Sequence, residues 1–262
     1  MDLSIIILNY KTKGLVKQCI KGIKLLNLEL DYEIIVVDNA SQDGVGQMIK
    51  EQFSEAKFIA GKVNRGYAAG NNLGIRRSKG KYIMILNPDI TVLPQAIEKM
   101  FSFLESYPKA AVVGPKLINP DGSTQLSCYH FPSLLVPIYR RTPLGRLPFA
   151  KKILRWYQMM DWDHSKRRRV DWLLGACLMI RTSAIEKVGL MDERFFLYFE
   201  DIDWCRRFWQ AGWEVYYIAD AEMVHYYQRL SAEGPGIIGL FKKSTRIHIV
   251  SWIKYFAKRF RS

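Results

Sequence analysis

Three short runs of consecutive apolar residues, rich in β-branched side chains, constrain this chain more than any other feature. They cover residues 3–10, 32–39 and 81–86, and apolar residues with helical spacing follow the first two runs at 15–28 and 45–53. Strands that are apolar on both faces are typical of parallel sheets covered by helices. Alternation of such strands with helices indicates right-handed βαβ units. We therefore predict an α/β fold with a Rossmann-like, mostly parallel central sheet flanked by helices.

Composition narrows the class of protein. The chain has 262 residues, 49% of them hydrophobic, which is enough to bury a substantial core. Its formal net charge of +14 predicts an anionic partner, such as nucleic acid, an anionic membrane or a phosphorylated substrate. The four cysteines form no C-x-x-C pair, which disfavours a zinc site and suits a reducing compartment. Because we recognise no signal peptide and no apolar run of about 20 residues, we expect a cytoplasmic protein.

Polar residues stand where each of the three apolar runs ends. Asn9 and Tyr10 end the first run, Asp38 and Asn39 end the second, and Asn-Pro-Asp at 87–89 follows the third. In open α/β sheets, ligands bind at the carboxyl ends of the strands. One polar cluster could serve solubility alone, but three clusters rich in Asn and Asp predict a nucleotide or sugar pocket.

Each of these features also has a structural interpretation when it is taken alone. Asp38 can accept from the imide N–H of uracil or thymine, or it can form an Asx-type turn. The glycine-rich segment 64–74 suits close backbone approach to a ligand or tight packing on the sheet, and its spacing is not that of G-x-G-x-x-G. Asp89 can bind Mg²⁺ or Mn²⁺ together with a diphosphate, or lie in a type I turn. His225 can be a structural histidine or an Mn²⁺ ligand.

Three carboxylates, Glu200, Asp201 and Asp203, follow an aromatic run at residues 195–199. Carboxylates that aromatic neighbours shield from water have raised pKa values, which suits a general base. Alternatively, the three acids begin a helix and complement its dipole, and Asp203 pairs with Arg207 at i,i+4. Helical spacing puts Glu200 and Asp203 on one face and Asp201 to its side, so the acids cannot all point at one atom.

The second half of the chain is less regular. Periodicity is lost over residues 129–169, where prolines, aromatic residues and basic residues predict an irregular or helical insertion of the kind that forms lids or binding loops. An apolar stretch resumes at 170–180, and residues 214–218 and 221–225 predict two strands. Residues 237–260 mix apolar and basic side chains as an amphipathic helix does. Such a helix can lie in an anionic membrane interface, or dock on the core with a solvated basic face.

Six motifs occur in order along the chain. They are Ile-Leu-Asn-Tyr at 7–10, Val-Asp-Asn-Ala-Ser-x-Asp-Gly at 37–44, Asn-x-Gly-Tyr-Ala-x-Gly-Asn-Asn at 64–72, Leu-Asn-Pro-Asp at 86–89, Gly-Ala-Cys-Leu-Met-Ile-Arg at 175–181 and Phe-x-Tyr-x-Glu-Asp-x-Asp at 196–203. Together they resemble the family 2 glycosyltransferases, inverting enzymes with the GT-A fold, and in particular the rhamnosyltransferase-like members. Each motif alone is weak, but the ordered set spans most of the chain, from residue 3 to about residue 225.

The resemblance implies catalytic roles for the acidic cluster. Asp201 would match the family's catalytic base, with Glu200 and Asp203 as supporting carboxylates. An acceptor hydroxyl would attack the anomeric carbon in line with the departing diphosphate, and Asp201 would take its proton. The residues implied on the acceptor side are Trp172, Gly175 and Ala176.

The resemblance also implies a metal and a nucleotide site. Mg²⁺ or Mn²⁺ would bind at Asp89 and His225, and Asn87 stands where the family's D-x-D motif has its first acid, which predicts weaker metal binding. The implied nucleotide contacts are Asn9, Tyr10, Asp38, Asn39, Asn64, Gly66, Asn71 and Asn87.

The implied organisation is a single GT-A domain at 1–230 and a basic amphipathic helical tail at 231–262. Within the domain, residues 1–115 would bind the nucleotide-sugar, and residues 116–230 would bind the acceptor and carry catalysis. The implied reaction moves a sugar, rhamnose first among the candidates, from dTDP-rhamnose or a UDP-sugar to a hydroxyl of a glycan or lipid-linked acceptor in cell-surface polysaccharide synthesis. We expect this reaction in the cytoplasm, with peripheral contact to the inner face of the cell membrane as a further expectation.

Two other functions stay open at this point. A sugar nucleotidyltransferase uses a related core, but the first strand is not followed by the glycine-rich phosphate loop that such enzymes carry. A nucleic-acid-binding protein would explain the net charge of +14, yet the chain has no recognised nucleic-acid-binding motif, so we expect no nucleic acid partner.

Overall fold

The computed structural model describes residues 1–226 and 243–259. Its strands are β1 (Leu3–Asn9), β2 (Tyr32–Asp38), β3 (Lys57–Ala60), β4 (Tyr82–Leu86), β5 (Ile90–Val92), β6 (Ala110–Ile118), β7 (Thr124–Gln125), β8 (Cys128–Tyr129), β9 (Arg168–Arg169), β10 (Trp172–Leu173), β11 (Cys177–Arg181) and β12 (Glu214–His225). Its α-helices are α1 (Lys13–Leu25), α2 (Val45–Gln52), α3 (Tyr67–Ile75), α4 (Ala96–Ser106), α5 (Val136–Arg141), α6 (Pro148–Tyr157), α7 (Thr182–Val188), α8 (Glu200–Gln210) and α9 (Lys243–Arg259).

The central sheet has the strand order β3-β2-β1-β4-β11-β6-β12-β5. Strands β3, β2, β1 and β4 are parallel neighbours, and β12 runs parallel to β6. Strand β11 lies antiparallel between β4 and β6. The predicted mostly parallel α/β fold is therefore confirmed, with β11 reversed near the centre of the sheet and β5 reversed at its edge.

Strand β1 shows why the sheet is buried on both faces. Ile5 and Ile7 contribute to the hydrophobic cluster on one side of the sheet, and Ile6 contributes to the cluster on the other. All three side chains are fully buried. A strand without a polar face needs helices on both sides, which is what its uninterrupted apolar run predicts.

Strand register brings distant residues together at one edge of this sheet. Asn9 at the end of β1 pairs with Asp38 at the end of β2. Cys177 of antiparallel β11 pairs with Leu86 of β4, so the residues before Cys177 lie beside those after Leu86. As a result, the Gly175-Ala176 segment lies next to the Asn-Pro-Asp segment at 87–89.

In the second half of the chain, the structure corrects one expectation and decides between two alternatives. Residues 214–218 and 221–225 are not two strands but one, β12, whose pairing with β6 is irregular between Ile218 and Glu222 and then resumes. The insertion at 129–169 contains α5, a 3₁₀ turn at Pro143–Arg146 and α6, so the helical alternative is the observed one for these parts of it.

The C-terminal helix α9 docks on the body of the protein. Tyr255 and Phe256 are buried, and the Ser251 hydroxyl donates to the Leu197 carbonyl at 2.8 Å. For residues 243–259 the docked alternative is therefore the observed one, while membrane binding by the tail stays a prediction. Residues 227–242 and 260–262, with the predicted domain boundary at 230, lie outside the described residues. Across 1–226 and 243–259, no helix is long and apolar enough to cross a membrane.

Candidate active site

Asn9 and Asp38 form a buried polar pair at the carboxyl ends of β1 and β2. The Asn9 amide donates to Asp38 Oδ1 at 2.9 Å and lies 3.0 Å from Ser41 Oγ. Asp38 also accepts from the Ser41 N–H at 3.2 Å, and Asp43 Oδ1 accepts from the Val45 N–H two residues on at 3.1 Å, so the Asx-type turn offered as an alternative is present at Asp43. Tyr10 differs from this pair, because 45% of its side chain is exposed. Nucleotide contacts by Asn9, Tyr10 and Asp38 stay predictions.

Asn39 connects this turn to the glycine-rich loop. Its amide nitrogen donates to Asn64 Oδ1 at 2.9 Å and to the Gly66 carbonyl at 3.0 Å. Gly66 has a φ of +91° and lies against the loop before α8, where an added Cβ would be 2.7 Å from Phe196 Cα. Tight packing therefore explains the glycine at this position, and a nucleotide contact there stays a prediction.

Tyr67, the first residue of α3, joins the two halves of the site and is a residue that sequence reasoning missed. Its hydroxyl donates to the Gly175 carbonyl at 2.6 Å and lies 3.2 Å from Asn87 Oδ1. Burial raises the pKa of Tyr67 well above its ordinary value, and the charges of Glu200 and Asp201 raise it further. The hydroxyl therefore keeps its proton. Its only sequence signal is the Gly-Tyr step before a helix, because Gly175 is 108 residues away.

Asp201 lies in the first turn of α8, and a backbone N–H group binds each of its two carboxylate oxygens. Oδ2 accepts from the Gly175 N–H at 3.0 Å, and Oδ1 accepts from the Ile202 N–H at 2.9 Å. Burial raises the pKa of Asp201 to about 6, and these backbone N–H groups oppose the rise. A carboxyl with this pKa is ionised at neutral pH and is a stronger proton acceptor than a solvated aspartate.

The two neighbouring acids have different surroundings. Burial, with the charge of Asp201 second, raises the pKa of Glu200 well above its ordinary value. Burial therefore favours the protonated form of both acids, and environment alone can make two adjacent carboxyls differ in this way. Asp203 Oδ2 lies 2.9 Å from Arg207 Nε, which is the predicted i,i+4 pair, and its Oδ1 lies 2.6 Å from Lys258 Nζ of α9.

The segment that leads into α8 is held in a strained conformation. Tyr198 and Phe199 are consecutive non-glycine residues with φ values of +69° and +70°. Left-handed backbone costs such residues roughly 1–2 kcal/mol each, and it persists only where surrounding contacts enforce it. Here the contacts are Gly66 on one side and α9 on the other, through Ser251 and the Leu197 carbonyl.

Asp89 and His225 meet where β5 pairs with the end of β12. His225 Nε2 lies 3.5 Å from Asp89 Oδ2, and His225 Nδ1 lies 2.7 Å from Gln125 Oε1. Asp89 Oδ1 is buried and has no hydrogen-bond partner among the described groups. A carboxylate oxygen and an oriented imidazole nitrogen suit Mn²⁺ or Mg²⁺. No group of three His, Cys, Asp or Glu residues gathers in the described part of the chain, so water and diphosphate oxygens would complete such a site.

The predicted acceptor-side residues divide into two groups. The Gly175 backbone forms hydrogen bonds with Asp201 and Tyr67, and the Ala176 carbonyl accepts from the Asn87 N–H at 2.8 Å. Gly175 and Ala176 therefore lie at the centre of the site. Trp172 is buried and stacks on Tyr129 at 4.6 Å. Its ring is therefore part of the wall behind the site, and acceptor contact by Trp172 stays a prediction.

With this geometry in place, similarity to known proteins identifies the family. Residues 4–172, well over half of the chain, match the Glycosyl transferase family 2. The chain belongs to this family. The family predicted from the six motifs is confirmed, and the protein is a transferase.

Relatives of this glycosyltransferase include two named rhamnosyltransferases. It is 28% identical over 244 residues to the N-acetylglucosaminyl-diphospho-decaprenol L-rhamnosyltransferase of Mycobacterium tuberculosis, covering 86% of this chain and 76% of that protein. It is 26% identical over 255 residues to the rhamnosyltransferase WbbL of Escherichia coli K12, covering 90% of this chain and 88% of that protein.

A solved structure supports the fold. GalNAc-T7 with UDP, GalNAc and Mn²⁺ superposes with a TM-score of 0.65 at 13% identity, over 97% of this chain. The glycosyltransferase spans about half of that protein, 47% of its length.

Proposed function

We propose that this glycosyltransferase transfers rhamnose from dTDP-rhamnose to a hydroxyl of a glycan or lipid-linked acceptor, with inversion, in the synthesis of cell-surface polysaccharide. The observation that carries the proposal is the oriented, buried Asp201 carboxylate, which the Gly175 segment joins to Asn87. The names of the mycobacterial and Escherichia coli relatives support rhamnose as the sugar, and the mycobacterial name supports a lipid-linked acceptor. UDP-sugars are the second class of donor. Such an acceptor suits a cytoplasmic enzyme at the inner face of the cell membrane.

The proposed chemistry is one displacement at the anomeric carbon. The acceptor O–H gives its proton to Asp201 while its oxygen bonds to that carbon. The bond from the anomeric carbon to the diphosphate oxygen breaks, and the nucleoside diphosphate leaves with the electron pair. Asp201 can act because its two backbone hydrogen bonds fix the plane of the carboxylate. Burial raises the pKa of Glu200 well above its ordinary value and so favours the protonated form, in which Glu200 cannot accept a proton.

Asp89 and His225 are the residues that would hold Mg²⁺ or Mn²⁺. The buried Asp89 Oδ1 without a partner in the described residues and the Gln125 contact of His225 support this assignment. When bound, the cation would neutralise charge on the departing diphosphate. We assign the donor to residues 1–115 and the acceptor to residues 116–230. The proposed nucleotide contacts are Asn9, Tyr10, Asp38, Asn39, Asn64, Gly66, Asn71 and Asn87.

Two measurements test the donor and the base separately. Thermal unfolding with dTDP, UDP or GDP, each with and without Mn²⁺, should show stabilisation by dTDP that increases with the metal. Asp201→Asn should keep that stabilisation and lower transfer from dTDP-rhamnose to polyprenyl-diphospho-N-acetylglucosamine by about 100- to 10,000-fold.

Asp121→Asn, the same change in an exposed turn, is the matched control and should leave transfer unchanged. Full transfer by Asp201→Asn would place the base elsewhere. If no nucleotide stabilises the protein, the donor assignment fails.

A further inference from the structure

Residues 134–160 expose more apolar surface than the rest of the fold explains. Seven of the eighteen large hydrophobic side chains that are exposed in the described chain fall within these 27 residues. They are Leu134, Leu135, Leu144, Leu147, Phe149, Trp156 and Met160. Single exposed apolar residues are ordinary, but a concentration of them marks an interaction surface.

The same segment is strongly and uniformly basic. The sequence has no Asp or Glu from Gly122 to Met160. Its six cations are Arg140, Arg141, Arg146, Lys151, Lys152 and Arg155. Many basic residues elsewhere in the described chain form ion pairs with acids, as Arg167 does with Asp220. Among the ion pairs of the described residues, none involves Lys151, Lys152 or Arg155. A surface with this charge is complementary to an anionic partner.

Helix α6 carries both properties on one face. Phe149, Lys152 and Trp156 are spaced i, i+3 and i+7, so they share a side of the helix, and all three are exposed. Ala150 and Tyr157, each one residue after Phe149 and Trp156 and so about 100° further round the helix, are buried. Aromatic residues beside lysine on an outward helix face are typical of helices that lie in the headgroup region of a bilayer.

The inward face of α6 borders the predicted acceptor side. The Tyr157 ring centre lies 6.4 Å from that of Trp172 and 5.3 Å from that of Tyr129. On the outward side, the half-exposed Trp156 ring stacks on His130 at 4.5 Å, and the His130 carbonyl accepts from Trp172 Nε1 at 2.9 Å. A partner bound to the outer face of α6 would therefore lie one helix away from the wall behind Gly175 and Asp201.

We propose that residues 134–160, the α5–α6 surface, dock this glycosyltransferase on an anionic lipid bilayer. The exposed leucines, Phe149 and Trp156 enter the interface, and the six cations contact anionic headgroups. Helix α9 is less suited to this role, because Lys254 contacts the Arg194 carbonyl at 2.7 Å and Lys258 contacts Asp203. The docking deepens the proposed function by holding the acceptor side against the membrane, but it does not depend on the identity of the donor.

Vesicle co-sedimentation of the full chain tests the proposal without donor or acceptor. The protein should bind phosphatidylcholine vesicles that contain about one third phosphatidylglycerol and should bind phosphatidylcholine alone far more weakly, at about 0.15 M salt. Each surface cation contributes about fivefold, so Lys151→Gln/Lys152→Gln should bind about 30-fold more weakly. Leu144→Glu/Phe149→Glu should bind at least as weakly as the double lysine variant.

Matched controls separate this surface from others. Leu25→Glu/Val63→Glu changes two exposed apolar residues remote in sequence, and Val250→Glu/Ile253→Glu changes the outward side of α9. Both control variants should bind like the unchanged protein. Circular dichroism checks folding, and the double lysine variant carries the test if a glutamate variant unfolds.

Three results would overturn the proposal. They are equal binding to neutral and anionic vesicles, loss of binding in the α9 variant instead of the α5–α6 variants, and salt-sensitive binding of duplex DNA without vesicle binding. The last result would assign the surface to nucleic acid. If dTDP stabilises the protein but the protein does not bind anionic vesicles, the membrane-docking proposal is wrong and the proposed function still stands.

Discussion

Replacing Gly66 by alanine is expected to disturb the base from a distance. Gly66 has φ +91° and ψ −177°, a region that essentially only glycine adopts, so alanine there costs about 1–3 kcal/mol. Its added Cβ would lie 2.2 Å from the Phe196 carbonyl oxygen, where ordinary contact begins at 3.4 Å. The loop before α8 must therefore retreat by about 1.2 Å, the difference between these two distances.

Overpacking of this kind adds about 1–3 kcal/mol, so we expect Gly66→Ala to lower the free energy of unfolding by roughly 2–6 kcal/mol. Phe196 precedes Asp201 by only five residues, so its displacement reaches the start of α8. Because a misplacement of about 1 Å costs around 100-fold in rate, we expect kcat to fall by about 10- to 100-fold.

Gly122→Ala is the matched control. Gly122 also has a left-handed φ, +82°, but an added Cβ there meets no atom within 4 Å. It should cost about 1–2 kcal/mol of stability and leave transfer unchanged. Urea unfolding and release of dTDP from dTDP-rhamnose measure both effects. If Gly66→Ala behaves like Gly122→Ala in both assays, the contact between the glycine-rich loop and the base loop does not control the site.

Four further predictions follow from particular contacts. The Asp201 carboxyl, whose pKa is raised to about 6, must be ionised to accept a proton. We therefore expect kcat/KM to be constant above pH 6 and to fall about tenfold per pH unit below it. A flat profile from pH 5 to 8 would exclude Asp201 as the base. Tyr67→Phe leaves a buried carbonyl without its donor and should cost about 1–3 kcal/mol of unfolding free energy in urea titrations. Gln125→Leu removes the support of the predicted histidine ligand and should weaken Mn²⁺ binding about 10- to 100-fold by calorimetry, whereas unchanged affinity would argue against the metal assignment. Lys258→Met leaves Asp203 with a single cation and should lower stability by about 1–3 kcal/mol, with α9 the first segment to lose amide-exchange protection.

The accuracy of the fold prediction follows from short-range patterns. The uninterrupted apolar runs that became β1, β2 and β4 can be buried only between helices, so the sheet type follows from them alone. Strand β12 shows the limit of this reasoning. Its polar interruption after Ile218 looks like the end of a strand, but pairing with β6 resumes at Glu222. Hydrogen bonding to β6, which lies about 100 residues earlier in the sequence, makes residues 214–225 a single strand.

The candidate site divides in the same way. The residue types, polar strand ends followed by an acidic helix start, are visible in sequence because their chemistry is local. Which of them touch is not visible. Strand register, with β11 reversed against β4, places Gly175 and Ala176 beside Asn87, and only then can Tyr67 span the gap. Docking of α9 gives Asp203 a second cation that no i,i+4 rule could predict.

What the amino-acid sequence by itself determined is therefore the sheet, its helices and the chemical nature of the groups along its carboxyl edge. What only the tertiary structure decided is the division of roles among those groups. Glu200 and Asp201 are adjacent acids of nearly equal intrinsic strength, and both are buried in the folded chain. Of these two acids, only Asp201 accepts a hydrogen bond from the Gly175 N–H. Folding brings that N–H to Asp201, because hydrogen bonds and burial depend on residues that are far apart in the chain, whereas residue type does not.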